Sequence, residues 1–147
     1  MIPKRIVIDT NVCLDLFVFR DPRWEKLLSA LRNGTVKAVT RDDCRTEWLK
    51  VLEYSHLPLN VDTRITVAQE FDALISPIDT AQTRPRTEVK LPVCTDPDDQ
   101  KFLELARDSD AETLITKDKA LLKLAKRTAR AGLFAIVTPE KWLPDAG

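Results

Sequence analysis

Asp9, Glu47, Asp99 and Asp118 are the side chains whose types and spacing are best suited to chemistry. Asp9 follows the apolar run Ile6-Val7-Ile8, and Asp118 stands just beyond Leu114-Ile115-Thr116. Consecutive β-branched residues read as a short strand buried on both faces, the kind found in the middle of a parallel sheet. Ligands of open parallel sheets collect outside the carboxyl ends of the strands, so an acid one residue past such a strand points at that place. Four acids meeting at one edge could not all stay ionised unaided, because like charges within a few ångströms raise one another's pKa. A pocket of that kind at neutral pH asks for a divalent cation. All-oxygen ligands favour magnesium or manganese over zinc. The reaction such a centre suits is in-line hydrolysis of a phosphodiester. Asn11 and Thr116 are neutral neighbours able to orient a carboxylate or a water.

Each acid also has a structural role open to it. Asp9 can cap a helix that starts near Thr10. Asp42 and Asp43 favour the dipole of a first helical turn, whereas Glu47 lies too deep in its helix for that and otherwise faces solvent. In Thr95-Asp96-Pro97-Asp98-Asp99, proline favours the first helical position, which makes Asp96 the N-cap and Asp99 its N3 partner. Three acids within four residues exceed what a cap requires, and their repulsion costs stability unless a cation or a basic ligand offsets it.

The elements that must position these residues follow from periodicity. Val12 to Arg20 reads as a short helix, and Trp24, Leu27, Leu28 and Leu31 as a second, with Asp21 as N-cap, Pro22 in the first turn and Asn33-Gly34 as the stop. Val36 to Thr40 is a second strand, and the order strand, helices, strand implies a right-handed parallel crossover. Thr40 and Asp43 form a Thr-x-x-Asp capping box for the helix that carries Glu47 and Trp48. Val61 to Ile75 resumes helical spacing, Ile75 to Ile78 is a brief strand, and Asp79 to Lys90 is a polar, substrate-facing loop with Arg84, Arg86 and Lys90. A helix follows Asp96, another follows Asp118 through Leu121, Leu122 and Leu124, and Phe134 to Val137 is a last strand. Pro139 to Trp142 reads as a final helical turn that packs Trp142 and Leu143 onto the body.

Composition narrows the choice of function. The 147 residues fit one domain over 1–147, large enough to bury roughly two thirds of the surface the unfolded chain exposes. The 23 basic and 23 acidic residues balance, so any nucleic-acid contact comes from local patches. Only three glycines are present, too few for a glycine-rich phosphate loop, which argues against ATPases and dehydrogenases. His56 is the only histidine, so zinc clusters and histidine triads are hard to assemble. Cys13, Cys44 and Cys94 lack metal-site spacing and read as reduced thiols in the core. With no apolar run of membrane-spanning length and no signal-peptide core after Met1, the expected location is the cytoplasm.

Ile8-Asp9-Thr10-Asn11, the mid-helix Glu47, Asp96-Pro97-Asp98-Asp99 with Phe102-Leu103 and Ala106, and Leu114-Ile115-Thr116-Lys117-Asp118 together resemble the ordered motifs of PIN-domain nucleases. More narrowly they resemble the toxin branch of bacterial toxin–antitoxin pairs, over nearly the whole chain from Ile6 to about Val137. The resemblance implies a three-layer α/β/α sandwich with a central parallel sheet and magnesium- or manganese-dependent cleavage of single-stranded RNA. It also implies inhibition by a small antitoxin protein, and a homodimer. Under it, Asp9, Glu47, Asp99 and Asp118 match the catalytic, metal-holding quartet, with Asn11, Thr116 and Asp96 in support. Lys117 departs from the pattern, since many members carry a small residue or glycine there. A lysine at that place either contacts phosphate or pairs with an acid and weakens metal binding.

Lys117, Lys119, Lys123, Lys126, Arg127 and Arg130 form a basic run that is either a solvated helix surface or an RNA-backbone track. In the second reading Lys117 and Lys119 contact RNA on one side of the acids, and Arg84 and Arg86 on the other. A rival function is a catalytically inactive PIN-like module that binds RNA or protein. A phosphatase or phosphoacceptor on a similar sheet is disfavoured, because position 11 is Asn where an Asp-x-Asp arrangement needs a second acid.

Overall fold

Strand β1 (Lys4–Ile8) buries Ile6, Val7 and Ile8 and has a parallel partner on each side, which is why its sequence shows no polar alternation. The computed structural model describes residues 3–78, 86 and 88–142. On one side of β1 lies β2 (Val36–Thr40) and then β3 (Ile75–Pro77); on the other lies β4 (Thr113–Ile115) and then β5 (Ala135–Val137). All four pairings are parallel, in the order β3-β2-β1-β4-β5. Ile8 registers with Ile115, so the residues that follow, Asp9 and Thr116, leave the sheet side by side. The order reverses between β1 and β4, and that switch point is where open parallel sheets bind ligands.

Side chains of β1 alternate between two apolar clusters. Ile6 and Ile8 join one with α1 (Thr10–Phe17), α2 (Glu25–Asn33) and α4 (Val61–Leu74), while Val7 joins the other with α5 (Gln100–Asp108) and α6 (Lys119–Leu122). The result is the α/β/α sandwich. Helix α3 (Asp42–Val51) contributes to both clusters, with Trp48 in the first and Cys44 in the second. Trp48 stacks on Phe71 at 5.0 Å between centroids, and Phe17 meets both rings edge-on at 6.1 Å. Arg41 bonds Asp43 at the start of α3 and Glu104 on α5, which ties the two helices across the sheet edge.

Several local expectations need correction. Helix α1 begins at Thr10, two residues earlier than the apolar spacing indicates, because the Asp9 carboxylate accepts from the Thr10 N–H; it ends at Phe17. The Thr40–Asp43 capping box does not form. Arg41 stands at the N-cap, and the Asp43 carboxylate instead takes two bonds from Arg41 and one from the Cys44 N–H. A reciprocal box does form at α4, between Asn60 and Thr63. The helix after Asp118 is broken in two, α6 and α7 (Ala125–Arg130), and Pro139–Trp142 is a hydrogen-bonded turn without a helix. Asp21 caps a single 3-10 turn at Pro22–Trp24 ahead of α2, and Gly34 ends α2 in the left-handed conformation. Arg84, Leu143 and most of the Asp79–Lys90 loop lie outside the described residues.

If the aromatic cluster carries the larger share of local stability, Phe17→Ala costs about 3–5 kcal/mol, whereas Asn60→Ala costs only about 1 kcal/mol, as read by urea denaturation.

Candidate functional site

Asp9 is 4% exposed, and both of its oxygens are engaged. Oδ1 accepts from the Thr10 N–H at 2.7 Å, and Oδ2 accepts from the Thr116 hydroxyl at 2.6 Å. The fully buried Thr116 hydroxyl also accepts from the Asp118 N–H at 2.9 Å, so a single hydroxyl ties the ends of β1 and β4 together. Asp118 caps α6 by accepting from the Ala120 N–H. Asn11 stands beside this turn, its side-chain Oδ1 accepting from the Lys117 N–H at 3.4 Å.

Asp96 caps the 3-10 turn Pro97–Asp99 through the Asp98 N–H, as its sequence context indicates. Asp99 has no such role. It makes no side-chain cap bond, is 8% exposed, and its Oδ2 is buried without a hydrogen-bond partner. Carboxylate oxygens of Asp96, Asp99 and Asp118 all lie within 4.8 Å of one another. A buried, unpartnered carboxylate oxygen facing two further acids fits a hard divalent cation, whose ligands are oxygens.

Glu47 comes to the same edge from α3. The Thr10 hydroxyl donates to its Oε2, and the Lys101 ammonium donates to its Oε1 at 2.8 Å and to the Asp98 carbonyl. Lys101 does not stand out in the sequence, and Thr10 appears there only as part of the Asp9-Thr10-Asn11 motif, with no role of its own. The available sign for Lys101 is its place on the first turn of the helix that follows three acids, and for Thr10 its adjacency to Asp9. Beside Glu47 and Lys101 opens a recess of about 630 Å³ that runs past Thr46 and Lys50 to the half-exposed Tyr54. Among the basic candidates, Lys117 pairs with Asp15 at 2.6 Å and not with any of the four acids, Lys119 is exposed, and the exposed Arg86 pairs with Asp110.

Burial sets the electrostatics. It raises the Asp9 carboxyl to about 6 against the bonds from Thr116 and Thr10, with the charges of Glu47 and Asp118 adding to the rise. Burial also raises Asp99 to about 7, with the charges of Asp9, Asp118 and Asp96 adding to the rise. For Lys101, burial lowers the pKa, but the hydrogen bond and charge of Glu47 outweigh it and hold the ammonium above its ordinary value.

A PIN domain family model matches residues 5–120. The chain belongs to the PIN domain family. PIN domains are in general metal-dependent nucleases, and the cluster of acids at the sheet edge accords with that general property. Among solved structures, VapBC2 from Rickettsia felis, bound to a DNA fragment from their promoter, is similar at a TM-score of 0.58 and 14% identity. The match covers 91% of this chain and 98% of that one, and it concerns the PIN fold. No curated protein matches the sequence.

Raised carboxyl pKa values mean that this PIN domain, free of metal, binds protons at Asp9 and Asp99 more tightly than its unfolded chain does. Their contribution to stability is complete below about pH 4 and is lost as the pH rises through about 6 and 7. Metal-free protein is therefore expected to be less stable at about pH 8 than at about pH 5.5. Asp99→Asn should flatten that slope and gain on the order of 1 kcal/mol at the higher pH, measured by urea denaturation in chelator. An unchanged slope in the variant would show that Asp99 is not the titrating group.

Proposed function

We propose that the chain is a magnesium- or manganese-dependent endoribonuclease of single-stranded RNA and the toxin of a toxin–antitoxin pair. The observation that carries this reading is the acid cluster at the switch point of the sheet, where carboxylate oxygens of Asp96, Asp99 and Asp118 lie within 4.8 Å of one another and Asp99 Oδ2 is buried without a partner.

Asp99 and Asp118 would hold the ion, with Asp96, Asp9 and Glu47 completing the acidic edge. Bound there, a divalent ion supplies a more acidic water and charge neutralisation at the phosphate, the two requirements of in-line phosphodiester hydrolysis. Thr116 fixes Asp9 and the Asp118 backbone in one arrangement, because its hydroxyl donates to the former and accepts from the latter. Thr10 and Lys101 do the same for Glu47 from two sides. Asn11, through its side-chain Oδ1, steadies the turn at Lys117 that leads into Asp118.

The single-stranded substrate is supported by the recess beside Glu47. Lys50 on its wall offers a charge to phosphate among the acids Asp42, Asp43, Glu47 and Asp98, and Tyr54 gives a ring on which an unpaired base stacks. Lys119, with Lys117 and Arg86 after exchange of their acid partners, extends a basic path on the same chain, and Arg84 belongs to the same group of proposed contacts. The toxin assignment rests on the motif resemblance, supported by the likeness in fold to VapBC2, and with it go a small antitoxin partner, a homodimer and a cytoplasmic site of action. Among the described residues no helix is long and apolar enough to cross a membrane.

Cleavage of a labelled single-stranded RNA should require added magnesium or manganese and be lost in Asp99→Asn. Thr116→Val should lower metal affinity or activity about 10- to 100-fold, as the loss of an orienting hydrogen bond does elsewhere. RNA left intact by well-folded protein with either metal, under conditions in which a reference nuclease cuts, would end the proposal. Separately, Tyr54→Ala is expected to weaken binding of the same RNA by roughly 1–3 kcal/mol in a fluorescence titration without metal, while Tyr54→Phe leaves it unchanged.

A further inference from the structure

The charges at the acidic edge are compensated unequally. Both oxygens of Glu47 are taken, one by the Thr10 hydroxyl and one by the Lys101 ammonium at 2.8 Å. Both oxygens of Asp9 are taken as well. Asp99 Oδ2, in contrast, is buried with no partner beside Asp96 and Asp118. The edge therefore has one half whose oxygens are already satisfied from within the chain, Glu47 by a cation, and one half that is not.

Lys101 is well held where it stands. Its ammonium bonds Glu47 and the Asp98 carbonyl at once, and its side chain is only 17% exposed. An ammonium is a compact, strongly hydrated point charge with three donors, so it satisfies carboxylate and carbonyl oxygens much as a small cation does. A divalent ion approaching Glu47 would have to expel that ammonium or lie against a like charge at close range. Its position is set by α5, which Arg41 clamps to α3 through Asp43 and Glu104.

We propose that Lys101 stands in for a second cation, so that the chain takes a single divalent ion on the side of Asp96, Asp99 and Asp118 and holds Glu47 with its own ammonium. Lys101 is on this view a positioning residue that sets metal stoichiometry. The inference rests on the metal-centre reading given under the proposed function.

Manganese binding to the metal-free full chain, counted by electron paramagnetic resonance of the unbound ion and by calorimetry, tests it without reference to activity. The wild-type protein is expected to bind one ion. Lys101→Met, which keeps the apolar stem and removes the charge, should bind two, and adding Glu47→Gln to that variant should return the count to one. Lys101→Arg, which keeps the charge, should stay at one. Should Lys101→Met unfold, Lys101→Gln takes its place, since its amide can still donate to the Asp98 carbonyl. Two ions in the wild type, or one in a folded Lys101→Met, would overturn the role of Lys101 and leave the metal centre standing. No manganese bound by any of the proteins would overturn both.

Discussion

Negative charge kept out of water is the constraint on which the rest of this molecule depends. The parallel order of the sheet brings the ends of β1 and β4 side by side, and with them Asp9, Thr116 and Asp118. Helix α3 and the 3-10 turn ahead of α5 then add Glu47 and Asp99 from either flank. Each carboxylate so gathered needs donors, and the fold supplies them from short range: backbone N–H groups at the helix starts, the hydroxyls of Thr10 and Thr116, and the Lys101 ammonium. Asp99 is where the supply runs out. Other polar atoms are also buried without a partner, Glu70 Oε1 among them, so it is the place of the Asp99 oxygen beside Asp96 and Asp118 that sets it apart.

The parts of the fold set by local pattern were legible from the residues alone. Consecutive β-branched residues marked β1, and an acid just past the apolar run marked the carboxyl end of both β1 and β4. Features set by partners distant in sequence were hidden. Thr40 and Asp43 have the spacing of a capping box, yet Asp43 is drawn to Arg41, whose guanidinium also reaches Glu104 on another helix. Lys101 looks like any lysine on a charged helix until α3 places Glu47 against it. Asp99 reads plausibly as a capping partner because the sequence shows its neighbours along the chain and not the burial of its oxygen.

Capping itself proved compatible with a place in the acidic edge. Asp9, Asp96 and Asp118 each accept a backbone N–H at a helix start and each still stands among the acids at the sheet edge. A carboxylate has two oxygens and about four lone-pair sites, so one bond to a helix end leaves capacity for another ligand. The helix start also favours negative charge through its dipole. A capping bond therefore does not by itself exclude a chemical role for these aspartates.

Helix α3 joins the two halves of the molecule in one further respect. Trp48, locked between Phe17 and Phe71, is the next residue after Glu47, so the hydrocarbon interior determines where that carboxylate stands. A helix that slipped by a single residue would travel about 1.5 Å and turn by roughly a hundred degrees, enough to part Glu47 from Thr10. Drift in the greasy interior is thereby transmitted to the polar rim, and a lineage could tolerate change at these aromatic rings only where neighbouring side chains shifted in concert.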